Sequence, residues 1–305
     1  MIIPILLAIT EIFGLFMVGA LARGLGYITD KEIDRWSRLV LDIFLPVFMF
    51  TSIINGLDVK RFHELWALPV IGIGMVIFFT GAGFLLQFLL FSKDTVKRRT
   101  FIHLCAVNNS TFLPIVILTN IWGERSLANL FLLYLGTASG VWTFGVGILG
   151  GGTFKEGMKK VITPVLVAIF LSIVITVFGG KEFIPDLLMR ILVRVGSIAV
   201  SLMLVLIGAS LAHRGIFRMS WPIAFTAIVR LVVLPCMVIP LLWLLPLPRD
   251  FYAIAVIVAL MPSAVSSVLI TRRFGGDPEY AASTALLTTL CCLITVPLAV
   301  WIIFG

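Results

Sequence analysis

From residue 3 to residue 304 the chain alternates apolar runs of about twenty residues with short connections that hold most of its charges, glycines and prolines. A helix rises about 1.5 Å per residue, so roughly twenty apolar residues cross about 30 Å of hydrocarbon. Soluble cores use short apolar strands or helix stripes, not such runs repeated along a whole chain. The spacing predicts an all-α polytopic membrane protein with ten spans, near 3–22, 36–56, 65–90, 100–119, 128–150, 160–178, 190–211, 221–245, 251–270 and 283–304. Composition agrees, at 60% apolar and 12% charged, where a soluble domain has roughly half and one quarter. The opening MIIPILLAIT has no basic segment and reads as the first span, not as a cleaved signal peptide.

The basic residues orient these spans. Of 23 Lys and Arg, 15 fall in connections after odd-numbered spans and 7 in connections after even-numbered ones, with Arg190 and Arg194 counted among the seven. The remaining one, Arg230, lies within span eight. This bias places the odd connections in the cytoplasm and both termini outside, in the cell (inner) membrane. The net charge of +8 is therefore a topology signal. No basic run interleaved with aromatics suggests nucleic acid as a partner. Five spans that start outside, followed by five that start inside, form an inverted repeat, with halves 1–155 and 156–305 and a cut in the Gly150 to Lys160 connection.

Two apolar runs are interrupted, and at corresponding places. Span four contains NNSTFLP, from Asn108 to Pro114, and span nine contains MPSAVSS, from Met261 to Ser267. Proline lacks the N–H that a helix needs and its ring clashes with the carbonyl four residues earlier, so Pro114 and Pro262 each open a turn. Freed backbone groups survive at membrane depth only against protein or an aqueous cavity. Asn108, Asn109, Ser110 and Thr111 in one run, and Ser263, Ser266 and Ser267 in the other, supply donors and acceptors at those openings. Such side chains either bind a polar solute or repair the backbone. Interrupted helices at matching positions of two inverted halves point to a transporter's central site, with half-helix N-termini that favour an anion.

Three ionisable groups within spans are further candidates, for coupling or charge relay, because burying a charge without compensation is expensive. Glu11 is a coupling carboxylate or an outer-interface residue. Asp42, four residues before Pro46, is a coupling group or the partner of Arg35 and Arg38. Arg230 attracts an anion, pairs with a carboxylate, or snorkels to the cytoplasmic surface. His103, beside Lys97 to Arg99, reads as interfacial. Cys105, Cys236, Cys291 and Cys292 lie in apolar surroundings without metal-ligand spacing, so no metal site and no cofactor is expected. With no GxxxxGK[ST] and no HExxH segment, the sequence offers neither ATP hydrolysis nor zinc proteolysis, and no enzyme activity is expected.

Taken together, these segments resemble the auxin efflux carrier family in its short prokaryotic form. The resemblance is carried by LMPSAVSSVLITRRFGGDPEYAASTALLTTLCCLITVPLAV (Leu260 to Val300), and also by RLVLDIFLPVFMF (Arg38 to Phe50), LVLIGASL (Leu204 to Leu211) and RLVVLP (Arg230 to Pro235). It implies two inverted five-helix repeats, with a scaffold of spans 1, 2, 6 and 7, and a core of spans 3–5 and 8–10 in which the broken spans four and nine cross. It also implies elevator-type secondary transport of a small organic anion, such as a dicarboxylate or an auxin-like carboxylate, bound beside the crossover, and a homodimer in the lipid bilayer. The sodium symporters of bile acids and the sodium/proton antiporters are similar in fold, so sodium- or proton-coupled movement of another solute is the alternative. A membrane sensor or structural partner that keeps the fold is the non-transport alternative.

The sequence departs from the family pattern in span four. Asn109, Ser110 and Phe112 match, but Thr111 and Pro114 stand where glycines are usual, and Val116 where a proline is usual. Only Glu11 and Asp42 are acidic within spans, which favours facilitated or proton-coupled movement over a dedicated pair of sodium sites.

Overall fold

The computed structural model of the chain describes residues 2–150, 163–212 and 219–304, and these are helical apart from turns, connections and one isolated two-residue bridge. The predicted boundary at 155/156 lies outside the described residues, as do Lys155, Lys159, Lys160, Arg214 and Arg218. The first half contains α1 (Ile2–Gly24), α2 (Asp30–Leu39), α3 (Leu45–Gly56), α4 (Ala67–Leu86), α5 (Thr95–Ala106), α6 (Phe112–Trp122) and α7 (Ser126–Gly140). The second contains α8 (Pro164–Val177), α9 (Asp186–Gly196), α10 (Ile198–Leu211), α11 (Trp221–Ile228), α12 (Leu234–Trp243), α13 (Arg249–Ala259), α14 (Ser267–Phe274) and α15 (Pro278–Phe304). Among the described residues seven continuous helical stretches are long and apolar enough to cross a membrane. The protein is thus an all-α, multi-pass membrane protein.

Several helices start earlier than hydropathy predicts. Helix α2 begins at Asp30, α9 at Asp186 and α15 at Pro278. The reason is that charged, amphipathic first turns read as connections although they are helical. Helix α2 buries none of its residues, and its start is fixed where Glu32 accepts a hydrogen bond from the Thr29 backbone N–H at 3.0 Å. Arg190 and Arg194, counted as connection charges, ride on α9.

Two π-turns share one local cause. Val40–Phe44 precedes Leu45-Pro46, and Val229–Val233 precedes Leu234-Pro235. Each proline lacks the N–H that would bond four residues back, to Asp42 or to Leu231. The turn takes up an extra residue instead, with Leu45 N–H and Leu234 N–H reaching five residues back to the carbonyls of Val40 and Val229. In the second case this widened turn carries Arg230.

Helix packing rests on close backbone approach, as expected where lipid removes the usual hydrophobic drive between helices. Helix α1 packs on α10, and α4 on α7. A Cβ at Gly208 would fall 2.2 Å from the Phe16 carbonyl oxygen, and one at Gly136 would fall 1.9 Å from that of Pro69. Helices α8 and α9 pack on α3, while α1 also meets α6. Helix α13 is buried almost all round, from Ala253 to Ala259, and the second half of α5 is buried from Thr100 to Ala106. A helix apolar on every face belongs inside a bundle, so both interrupted runs meet at its centre.

Replacing Gly136 by Val should separate α4 from α7 and lower the unfolding midpoint of the detergent-purified protein by several degrees. Gly14→Ala, where an added Cβ meets nothing within 4 Å, should leave that midpoint unchanged. Thermal unfolding followed by size-exclusion chromatography measures both.

Candidate functional site at the helix crossover

The fourth run is two helices, α5 and α6, joined by Val107 to Thr111, and the ninth is two helices, α13 and α14, joined by Leu260 to Ser266. The joints cross as a minimal antiparallel ladder. Asn108 faces Ser263, flanked by hydrogen bonds from Asn109 N–H to the Pro262 carbonyl at 2.8 Å and from Ala264 N–H to the Val107 carbonyl at 3.1 Å. Pro262 serves this pairing as an acceptor, the only backbone role a proline has.

A helix ends with carbonyls that no N–H of its own can reach, and here each joint satisfies the other's helix. Asn108 Nδ2 donates to the Val258 carbonyl of α13 at 2.6 Å, and Ser263 Oγ donates to the Leu104 carbonyl of α5 at 3.1 Å. Arg230 completes the set. Its Nη1 donates to the Cys105 carbonyl at 3.0 Å, its Nη2 to that of Ala259 at 3.1 Å and its Nε to that of Met261 at 2.9 Å. The guanidinium is 0% exposed and lies 4.6 Å from the centre of the Phe79 ring. Among the described residues no carboxylate pairs with it, so carbonyl dipoles and a ring face balance its charge.

The other side of the crossover is less occupied. Helix α6 starts at Phe112 with no side-chain cap from Thr111, and Pro114 falls in its first turn, where the missing N–H costs no hydrogen bond. Its first free N–H groups carry partial positive charge. Beside them Asn109, 8% exposed, makes no side-chain hydrogen bond among the described residues. Ser110 Oγ accepts from Thr137 Oγ1 at 3.4 Å, and Thr111 offers its carbonyl to Ile115 N–H at 3.0 Å. Ser266 is exposed at the start of α14, while the hydroxyl of buried Ser267 has no hydrogen-bond partner among the described residues.

The sequence candidates therefore divide. Asn108, Asn109, Ser110, Thr111, Pro262, Ser263 and Arg230 come together at one crossing. Glu11 stands apart on α1, where it accepts a hydrogen bond from Asn120 Nδ2 at 3.1 Å. Asp42 is exposed on its π-turn, and no ion pair joins it to Arg35 or Arg38 among the described residues. His103 corrects the interfacial expectation. Because α5 starts at Thr95, His103 sits deep in the helix, fully buried, with Nδ1 2.8 Å from the Gly145 carbonyl.

A cavity of about 1170 Å³ opens at the far end of α6, lined by Asn55, Trp122, Arg125, Asn129, Arg249 and Asp250 among others. It reaches Ile254 of α13, within two turns of Ala259. Its rim is tied by Arg61, which binds Asp250 through two nitrogens at 2.9 and 3.2 Å and Glu64 at 2.8 Å, and stacks over Phe251. Hydrogen bonds to Asp250, and then to Glu64, hold the Arg61 guanidinium above its ordinary pKa. In the linear sequence Arg61, Arg125 and Arg249 are only charges in connections after even-numbered spans. Partners 189 residues apart leave no local signal.

A family model described as a membrane transport protein matches residues 4–150 and 153–302. The chain belongs to the auxin efflux carrier family. It is similar to an uncharacterized transporter of Methanocaldococcus jannaschii, 25% identical over 297 residues, covering 95% of this chain and 96% of that protein. It is also similar to an uncharacterized transporter of Methanothermobacter thermautotrophicus, 22% identical over 295 residues and 95% of each. As a family member the carrier is a transport protein, not an enzyme, and no group of His, Cys, Asp and Glu is arranged for a metal among its described residues.

The crossover geometry separates structural from free amides. Asn108→Ala removes the bond to the Val258 carbonyl and should destabilise the carrier by about 1–3 kcal/mol. Asn109→Ala removes no side-chain hydrogen bond and should leave the unfolding midpoint within error of the unmodified protein. Parallel denaturation of the two variants reads this directly.

Proposed function

We propose that the protein is a secondary carrier of a small organic anion, a dicarboxylate or an auxin-like carboxylate, bound beside the crossover of its broken helices. The observation that carries this reading is the asymmetry of charge at that crossing. Arg230 covers the carbonyl ends of α5 and α13, while among the described residues the N-terminal end of α6 and the Asn109 amide are left without a side-chain partner. A buried cation, free N–H groups and an unpaired amide suit a carboxylate and disfavour a metal cation or an amine. Solute is bound by Asn109, Ser110 and Thr111, with the Pro262 joint and Ser263, Ser266 and Ser267 shaping the opposite wall. Asn108 and Pro114 hold the opening in place.

On this reading the chain crosses the cell membrane ten times as two inverted five-span halves, with both termini outside. The cavity between Trp122 and Asp250 is then the outer vestibule. The packing of α1 on α10 and of α8 and α9 on α3 supports a scaffold against which the crossover helices move as an elevator. A homodimer formed through that scaffold would keep it still in the bilayer.

Reconstituted liposomes test the assignment. Uptake of radiolabelled malate, malonate or indole-3-acetate is expected under an imposed voltage or pH gradient. Asn109→Ala should lower apparent affinity by about tenfold, the equivalent of one hydrogen bond to a charged group. Absence of uptake of all three anions under every gradient would remove the substrate class.

A further inference from the structure

Arg230 has a second consequence, for coupling. Two helix C-termini meet at the crossover, each with about half a negative charge concentrated on its last carbonyls. In transporters with broken helices, such unwound carbonyls and half-helix C-terminal ends are where sodium ions or protons bind. Here the carbonyls of Cys105, Ala259 and Met261 are all taken by one guanidinium, at 2.9 to 3.1 Å, from three different nitrogens. The side chain is fully buried, and the π-turn before Pro235 fixes it in the chain. We propose that Arg230 is a built-in replacement for a coupling cation, so that the crossover is complete without sodium and the carrier's cycle does not depend on it.

The chemistry of the side chain fits this role. A planar fork with fixed N–H directions can meet three carbonyls at once, and it neither dissociates during the cycle nor gives up its proton. An ammonium would offer a point charge that meets fewer of them. The proposal rests on the carrier reading of the same site but not on the identity of the solute.

Thermal unfolding of the detergent-purified protein without substrate tests it, with sodium chloride exchanged for choline chloride at constant ionic strength. The wild-type midpoint is expected to be the same in both salts. A sodium site filled at about a hundred times its dissociation constant would raise the midpoint by several degrees, and that result would overturn the proposal. In Arg230→Met the three carbonyls lose their partner, so a lower midpoint that rises again with sodium but not with choline is expected. A folded Met variant as stable as wild type and indifferent to sodium would also overturn it. Arg230→Lys should keep the indifference to sodium at a reduced midpoint. If the Met variant does not fold, the wild-type comparison decides alone. Anion uptake driven by a sodium gradient would sink this inference while leaving the carrier reading intact, whereas failure of all anion uptake would remove the proposed substrate class and leave the sodium comparison to decide this inference.

Discussion

The structure depends on how two helix ends can stop in the middle of a bilayer. Ending a helix there exposes carbonyls to a medium with no water to solvate them, at several kcal/mol for each group left unpaired. The crossover solves this without solvent. Joint residues cap the opposite helix, through Asn108 to Val258 and Ser263 to Leu104, and Arg230 takes three carbonyls at once. The two joints are thereby one unit, because removing either leaves the other's helix uncapped. A buried guanidinium without a carboxylate would ordinarily be costly. It is tolerated because the same carbonyl dipoles that need donors also supply negative potential.

That arrangement begins with a proline six residues beyond the start of a π-turn. Pro235 forces the widening at Val229–Val233. The outcome is a buried arginine on a helix that otherwise reads as an uninterrupted apolar span. The same local chemistry at Pro46 gives the π-turn that carries Asp42, yet there the side chain is exposed. One sequence device thus presents an ionisable group within a span, and the surrounding packing decides whether it becomes structural.

Much of the architecture was legible because membranes impose length. Apolar runs, proline positions and the paired interruptions all survive in a linear reading, and the joints lie where Pro114 and Pro262 indicated. What a linear reading loses at Arg230 has a physical cause: backbone carbonyls carry no sequence signature. The sequence therefore offers Arg230 an anion contact, a carboxylate pair or snorkelling, and gives no sign of its three carbonyl partners. Charged first turns on α2 and α9 are helical where hydropathy predicts connections, because hydropathy does not register amphipathic helix. His103 reads as interfacial only when the helix starts at 100, and its actual start at Thr95 carries the residue inward.

The contact between Glu11 and Asn120 acquires meaning only when the packing is considered. Helix α1 is locked to α10 by backbone approach at Gly19 and Gly208, where a Cβ would overlap carbonyl oxygens of Val205 and Phe16. Helix α6 is instead tied to the crossover through the joint at Asn109. A hydrogen bond of 3.1 Å between Glu11 and Asn120 therefore joins a rigid helix pair to the unit that carries the candidate site. Asn120 also donates to the Val116 carbonyl of its own helix at 3.0 Å, so it keeps a partner when the Glu11 bond is absent. The contact is thus a polar link between α1 and α6, made at a distance from the crossover by side chains of two different helices.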